Sequence, residues 1–199
     1  MASDPDAALM VAFQGGDERA FRSLFEKHGR AMVSFCHHFV RDQARAEELA
    51  QDVFLKLHRS AARYQPTARF KTFLYRIASN HCLNELRRGE YAGRRAVQDR
   101  GERELAPTEP DTLPAATGTP EDEAVAHALG GAVEALLVRL PEKQRAAFVL
   151  ARLEGLSYGE IAAVLVTTVP AVKSLVHRAT VAAAAALAPF VSAEDEVAT

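Results

Sequence analysis

Between Phe70 and Arg95 the chain interleaves rings and amides with cations: Phe70, Lys71, Phe73, Tyr75, Arg76, Asn80, Asn84, Arg87 and Arg88, then Tyr91, Arg94 and Arg95. That mixture suits single-stranded DNA. Bases stack on aromatic faces for about 1 to 3 kcal/mol each while arginines follow the backbone, so a strand held open can be trapped. On these residues alone a second reading stays open, in which the aromatics are core and the arginines a solvated face. Near the other end, Ser157 and Glu160 are spaced as a capping box ahead of Ile161, Ala162 and Leu165. A short turn at Val166 and Thr167 follows, and Thr168 can cap a helix carrying Val172, Leu175 and Val176. Two short helices joined so tightly read as a helix-turn-helix, with Lys173, Ser174, His177 and Arg178 outward. Its DNA face is thin, because the run from Val181 to Ala188 adds no positive charge.

Other reactive residues point to less. Cys36 with His37 and His38, and His81 with Cys82, offer thiolate and imidazole, but neighbours on a helix point in different directions and no zinc-ligand spacing is present. Both cysteines lie on apolar stripes, so buried thiols are the simpler account. No nucleophile, triad or phosphate loop is visible: Gly15 and Gly16 follow no strand, and no Gly-rich stretch ends in Lys and Ser or Thr. The expectation is a protein without catalysis, metal or cofactor.

The elements that must position these residues are helical. Phe21, Leu24, Phe25, His28, Met32, Phe35 and Phe39 recur at steps of three and four, a stripe down a helix that opens on Asp17 and runs to about Val40. The next helix turns Leu49, Val53, Phe54 and Leu57 inward and Glu47, Glu48, Gln51, Asp52 and Lys56 outward, ending near Arg63. Tyr64 to Arg69, with Pro66, reads as a loop. The helix from Phe70 is expected to stop near Leu86, before Gly89. From about Gly93 to Thr119 periodicity gives way to Pro107, Pro110, Pro114 and acidic residues, the composition of a flexible linker. A second module opens on Pro120, with Val125, Leu129, Val133, Leu136 and Leu140 as its first stripe.

The fold class expected is all-α, as two small helical domains joined by an acidic linker: residues 1–92, a linker at 93–119, residues 120–190, and a tail at 191–199. The 199 residues carry a formal net charge of -2, which an autonomous duplex binder rarely shows, so a nucleic-acid role needs a local patch or a partner. Two cysteines make no disulfide framework, and no apolar run is long enough to span a bilayer. The expected location is the cytoplasm, with no membrane insertion.

Two blocks resemble one family. The first, including AEELAQDVFLKLHR and RFKTFLYRIASNHCLNELRR, is similar to region 2 of extracytoplasmic-function sigma factors of the sigma-70 family. The second, LPEKQRAAFVLARLEGLSYGEIAAVLVTTVPAVKSLVHRA, resembles their region 4. The resemblance implies a transcription initiation factor that binds core RNA polymerase and promoter DNA and is controlled by an anti-sigma factor or another regulator. It implies a polymerase-docking surface at Glu47, Glu48, Leu49, Gln51, Asp52, Val53, Phe54 and Lys56. It places the loop from Tyr64 to Lys71 where a flipped minus-10 base is received, with Asn80 near that pocket and Phe70, Phe73, Arg76, Asn84, Arg87 and Arg88 along the melted strand. It places Thr168, Ala171, Lys173, Ser174, His177 and Arg178 at the minus-35 element. Departures from the family pattern are Phe73 for Trp, Val166 for the turn glycine, Pro170 for a small residue, Leu175 for arginine, and alanines for the basic tail. The alternative it leaves is a sigma-like regulator whose region 4 binds a protein in place of DNA.

Overall fold

The computed structural model describes the backbone of residues 4–99 and 120–197 and the side chains of residues 4–88 and 128–188. Among the described residues all regular structure is helical: α1 (Pro5–Gln14), α2 (Glu18–Val40), α3 (Gln43–Ser60), α4 (Phe70–Asp99), α5 (Pro120–Arg139), α6 (Glu142–Arg152), α7 (Tyr158–Val164) and α8 (Val169–Val197), with a 3-10 turn at Ala61–Arg63.

Aspartates start the first three helices. Asp4, Asp17 and Asp42 accept the N–H groups of Asp6, Arg19 and Arg45 at 3.1, 2.9 and 2.7 Å, satisfying amides that a helix start leaves unpaired. Arg41 ends α2 in the left-handed region, at φ 56, so α3 folds back beside it. The stripe read from the sequence then closes a core: Leu24, Met32, Phe35, Cys36 and Phe39 of α2 pack with Leu49, Val53, Phe54 and Leu57 of α3 and with Phe70, Leu74, Tyr75, Ala78 and Cys82 of α4. Each large side chain buried there is worth about 1.5 to 3 kcal/mol. The rings of Phe35 and Tyr75 meet edge to face at 5.0 Å, and the Cys36 and Cys82 sulfurs lie 3.7 Å apart, both fully buried as free thiols.

The second module packs α5, α6 and α7 on α8, through Leu136, Leu137, Leu140, Val149, Leu150, Ile161, Val164, Val172, Val176 and Ala179. Between α6 and α7 the chain reverses at Gly155, φ 66, a conformation that glycine adopts without strain.

Four expectations are corrected. Helix α4 does not stop before Gly89 but runs through Gly89 and Gly93 to Asp99, into the segment read as linker; a helical glycine costs about 1 kcal/mol and need not end a helix. Helix α8, expected from the sequence to reach about Ala182, runs on to Val197 through a run of alanines, the strongest helix former. Leu129 is 40% exposed, since α5 meets the core only from about Val133 onward. Phe25, 46% exposed, sits at the rim with its ring edge-on to Phe54 at 4.8 Å. Residues 100–119, the rest of the expected linker, lie outside the described residues, and with them Thr119, which the sequence offers as a cap for the helix opening on Pro120, as do the side chains of Tyr91, Arg94, Arg95 and Val125.

The modules pack on one another. Arg145 of α6, buried, donates from Nη1 to the Phe39 carbonyl at 3.1 Å and from Nη2 to the Val138 carbonyl at 2.9 Å, while Arg41 pairs with Glu134 at 2.8 Å. Carbonyls at a helix C-terminus carry the negative end of its dipole, which suits the guanidinium.

Candidate nucleic-acid interface

Helix α3 presents two sides. Leu49, Val53 and Phe54 point into the core, so of the eight residues expected at a docking surface these three anchor the helix, while Glu47, Glu48, Gln51, Asp52 and Lys56 are exposed. The outer row is braced: Arg45 bonds Glu48 at 2.5 Å and also Glu85 of α4, and His81 takes Asp52 at 3.1 Å and Lys56 on its two ring nitrogens. Burial lowers the His81 pKa, and the Lys56 charge adds to this, against the opposing pull of Asp52. Sequence reasoning missed Leu55, which stands 54% exposed in the middle of this polar row.

On α4 the residues at positions 73, 76, 80, 84 and 87 recur at steps of three and four and fall on one face. Arg76, Asn80, Asn84, Arg87 and Arg88 are exposed, and Phe73 is half-buried beneath the Arg76 guanidinium, 6.0 Å from its ring centre. Tyr64 and Phe70 are buried instead, with the Tyr64 ring 5.1 Å from Phe73 and 6.5 Å from Phe70. They form the floor under the 65–69 loop.

Helix α1, to which the sequence assigns no role, holds that loop. Gln14 Nε2 donates to the Ala62 and Tyr64 carbonyls at 3.2 and 3.3 Å, and Asp4 accepts the Phe70 N–H at 2.6 Å, capping α4 from a distant part of the chain. Asp6 in turn ties α1 to α2 through Lys27 at 2.6 Å and His28 at 3.0 Å. Burial alone would raise its pKa; the bonds from Lys27 and His28 outweigh it and hold the carboxyl below its usual range.

Where α4 faces the second module, polar residues meet. Lys71 donates to the Glu154 carbonyl at 2.6 Å, Tyr75 donates its hydroxyl to the Glu154 carboxylate, Glu160 lies 3.5 Å from both Arg69 and Thr72, and Glu142 lies 3.6 Å from Arg87. Burial, with Glu154 as acceptor, pushes the Tyr75 hydroxyl pKa far up.

The helix-turn-helix is formed. Ser157 and Glu160 make the reciprocal capping box at the start of α7, and Thr168 Oγ1 accepts the Ala171 N–H at 3.4 Å at the start of α8. Thr168, Lys173, Ser174, His177 and Arg178 are exposed and Ala171 is half-buried. Val166, in the glycine's place, is held at φ 50 and is 78% exposed.

Among the described residues no group of three His, Cys, Asp or Glu is placed to hold a metal ion, and no single helix is long and apolar enough to cross a membrane.

Comparison with known proteins agrees with this geometry. Residues 24–90 match the family described as Sigma-70 region 2, and residues 130–181 match Sigma-70, region 4. The chain is 32% identical to the RNA polymerase sigma-H factor of Pseudomonas aeruginosa, over 96% of this chain and 97% of that one. It is 33% identical to the ECF RNA polymerase sigma factor SigM of Mycobacterium tuberculosis, over 87% and 80% respectively. Among solved structures it superposes on CnrH, from its complex with the cytosolic domain of CnrY, with a TM-score of 0.68 at 24% identity, covering 94% of this chain and 99% of that one. It superposes likewise on RpoE of Bartonella quintana, from its complex with the anti-sigma factor NepR, with a TM-score of 0.63 at 23% identity over 84% and 96%. At such identities these two establish the fold, while the relatives matched along nearly their whole length establish the kinship: the chain belongs to the extracytoplasmic-function sigma factors of the sigma-70 family.

Proposed function

We propose that this sigma factor divides its work between its modules as follows. The exposed row of α3, Glu47, Glu48, Gln51, Asp52 and Lys56 with Leu55 at its centre, docks on core RNA polymerase. An apolar side chain ringed by charges is the usual make-up of a docking hot spot and its rim. The α4 strip, Phe73, Arg76, Asn80, Asn84, Arg87 and Arg88, with Lys71 at its edge, holds the melted minus-10 strand. Tyr64 and Phe70 act from below by fixing the loop. Helix α8 enters the minus-35 major groove with Thr168, Ala171, Lys173, Ser174, His177 and Arg178. The domain limits that fit are 1–92 and 120–190, with α4 reaching beyond the first. The role is recognition, with the chemistry left to the polymerase, and its place is the cytoplasm where polymerase works.

The observation that carries this reading is the single-file strip on α4 beside a loop braced from α1. Bases leave the stack only if a site beside the strand receives them. Run-off transcription with purified core enzyme and a promoter library tests it: transcripts sharing a minus-10 sequence are expected, and none from a polymerase that has bound the protein would overturn it.

The thin face of α8 favours a supplementary reading. Val166, Val169 and Val181 are exposed there, and from Ala179 to Ala193 the helix carries no charged residue. We infer that region 4 also meets a protein regulator, of the kind named for RpoE, whose solved complex holds an anti-sigma factor.

A further inference from the structure

We propose that Arg59 and Arg63 form a second site for single-stranded DNA, one that reads no base and holds phosphates of the unpaired strand where it leaves the 65–69 loop. The inference rests on the assignment of the α4 strip to the melted strand and carries that path past the loop onto the end of α3.

Charge marks the place. The whole chain has 24 Lys and Arg against 26 Asp and Glu, yet the stretch from Val53 to Asn84 contains no carboxylate and six cations: Lys56, Arg59, Arg63, Arg69, Lys71 and Arg76. Four of these are engaged by the fold. Lys56 meets His81, Arg69 faces Glu160 at 3.5 Å, Lys71 bonds the Glu154 carbonyl, and the Arg76 guanidinium stands over the Phe73 ring. Arg59 and Arg63 are exposed, and neither guanidinium has a hydrogen-bond or carboxylate partner among the described residues. A helix C-terminus favours cations in its last turn, which accounts for Arg59 alone; Arg63 lies beyond α3, in the 3-10 turn.

Position ties the pair to the strip. The backbone around Arg63 is pinned on both sides. Gln14 donates to the carbonyls of Ala62 and Tyr64, the Tyr64 N–H returns to the Ala61 carbonyl at 3.0 Å, and Ser60 Oγ closes the end of α3 on the Leu57 carbonyl at 2.8 Å. Tyr64, the next residue, is buried with its ring 5.1 Å from Phe73, the aromatic end of the strip. Arg63 therefore starts one Cα step, about 3.8 Å, from a residue packed on the strip, and Arg59 stands one helical turn, about 5.4 Å, further back. The path runs from Arg87 along α4 to Phe73 and then, past the loop, to Arg63 and Arg59.

The chemistry favours a phosphodiester over a protein. The neighbouring α3 row offers mixed charges around Leu55, whereas between Arg59 and Arg63 the chain has only Ser60, Ala61 and Ala62, with no large apolar side chain to anchor a protein surface. Guanidinium groups that no carboxylate occupies take phosphate oxygens by charge-assisted bonds, which fix the strand and carry no sequence information.

Binding of oligonucleotides to the holoenzyme tests this. The probes are the single-stranded minus-10 sequence alone and the same sequence with a few thymidines added on the 5′ or the 3′ side; one extension leaves past the loop and the other past Arg88. Arg59→Gln combined with Arg63→Gln is expected to keep the affinity for the unextended probe within about twofold and to lose the gain from one extension only. Each phosphate contact to a single strand adds about 0.7 to the slope of log affinity against log salt, so on that probe the slope should become shallower by about 1.4, worth about sevenfold between 50 and 200 mM salt. Arg59→Lys with Arg63→Lys, which keeps both charges, should keep the slope. Equal losses on all three probes, or unchanged slopes on both extended probes, overturn the site. Weaker polymerase binding with probe affinities intact also overturns it, in favour of an acidic protein partner. Failure of the strip assignment is read separately, on the unextended probe with holoenzyme carrying Arg87→Ala and Arg88→Ala, where unchanged affinity would remove the strip.

Discussion

Asp4 caps two helices with one side chain: one carboxylate oxygen takes the Asp6 N–H at 3.1 Å and the other takes the Phe70 N–H at 2.6 Å, across 66 residues. Loss of a helix cap costs about 1 to 2 kcal/mol, and here two starts lose it together. Asp4→Ala is expected to lower the urea midpoint and to slow promoter opening, since the start of α4 and the 65–69 loop come free together. Asp4→Asn, which can still cap α1, is expected to lose less. Equal behaviour of Asp4→Ala and the parent in both assays would count against the brace.

Val166 offers the opposite sign. A β-branched residue at φ 50 carries about 1 to 2 kcal/mol of backbone strain, and at 78% exposure its side chain gains little burial in return. Val166→Gly is expected to raise the melting temperature by about 2 to 4 °C, the shift that roughly 1 kcal/mol makes in a chain of this size.

His38 sets a pH window. Burial first, and then the charge of His37, hold its imidazole down to about 4, against the opposing effect of Glu134. In the unfolded chain it titrates near 6.5. Folding therefore expels a proton between those values, so this contribution to stability is complete above about pH 6.5 and lost as pH falls towards 4, by about 3 kcal/mol in all. Urea midpoints of the parent should fall across that window more steeply than those of His38→Phe, which has nothing to protonate; parallel curves would remove His38 from the account.

Joint replacement of Arg87 and Arg88 by alanine is expected to abolish promoter opening, read by permanganate reactivity of the minus-10 strand, while leaving polymerase binding within about twofold. Equal loss of both activities would mean that the two surfaces are not separate.

Leu55→Asp makes the complementary test. An exposed leucine contributes little to the fold, so the melting temperature should hold, whereas an aspartate at the centre of a docking patch should weaken polymerase binding by at least tenfold. Unchanged binding would move the polymerase surface elsewhere on the module.

Most of the helices are legible in the amino-acid sequence, because their starts are written in aspartates and a capping box and their buried faces in steps of three and four. The residues on the α4 strip are legible for the same reason, as is the division between the inward and outward residues of α3. What stays hidden depends on the approach of distant segments. Asp4 looks like a local cap until Phe70 is beside it. Glu160 reads only as the partner of Ser157 in a capping box, Glu142 and Glu154 carry no signal of their own, and nothing in a helical period says that Lys71, Tyr75 and Arg87 will meet carboxylates of the second module. Tyr64 and Phe70, read as part of the strand surface, are buried by the fold of the loop above them. Glycine misleads as well: Gly89 and Gly93 are penalties that α4 absorbs, whereas at Gly16 after α1 and at Gly155 after α6 a positive φ makes glycine the natural end of a helix.

The two core thiols give the molecule a clock of its own. Cys36 rides on α2 and Cys82 on α4, 3.7 Å apart and without any accessible surface, so an alkylating reagent must wait until those helices part. The waiting time is the lifetime of the core that carries both the polymerase row and the strand strip. Consumption of the sulfurs, followed by mass, therefore times the breathing of region 2 in the free chain, on polymerase and on open promoter, with no label added.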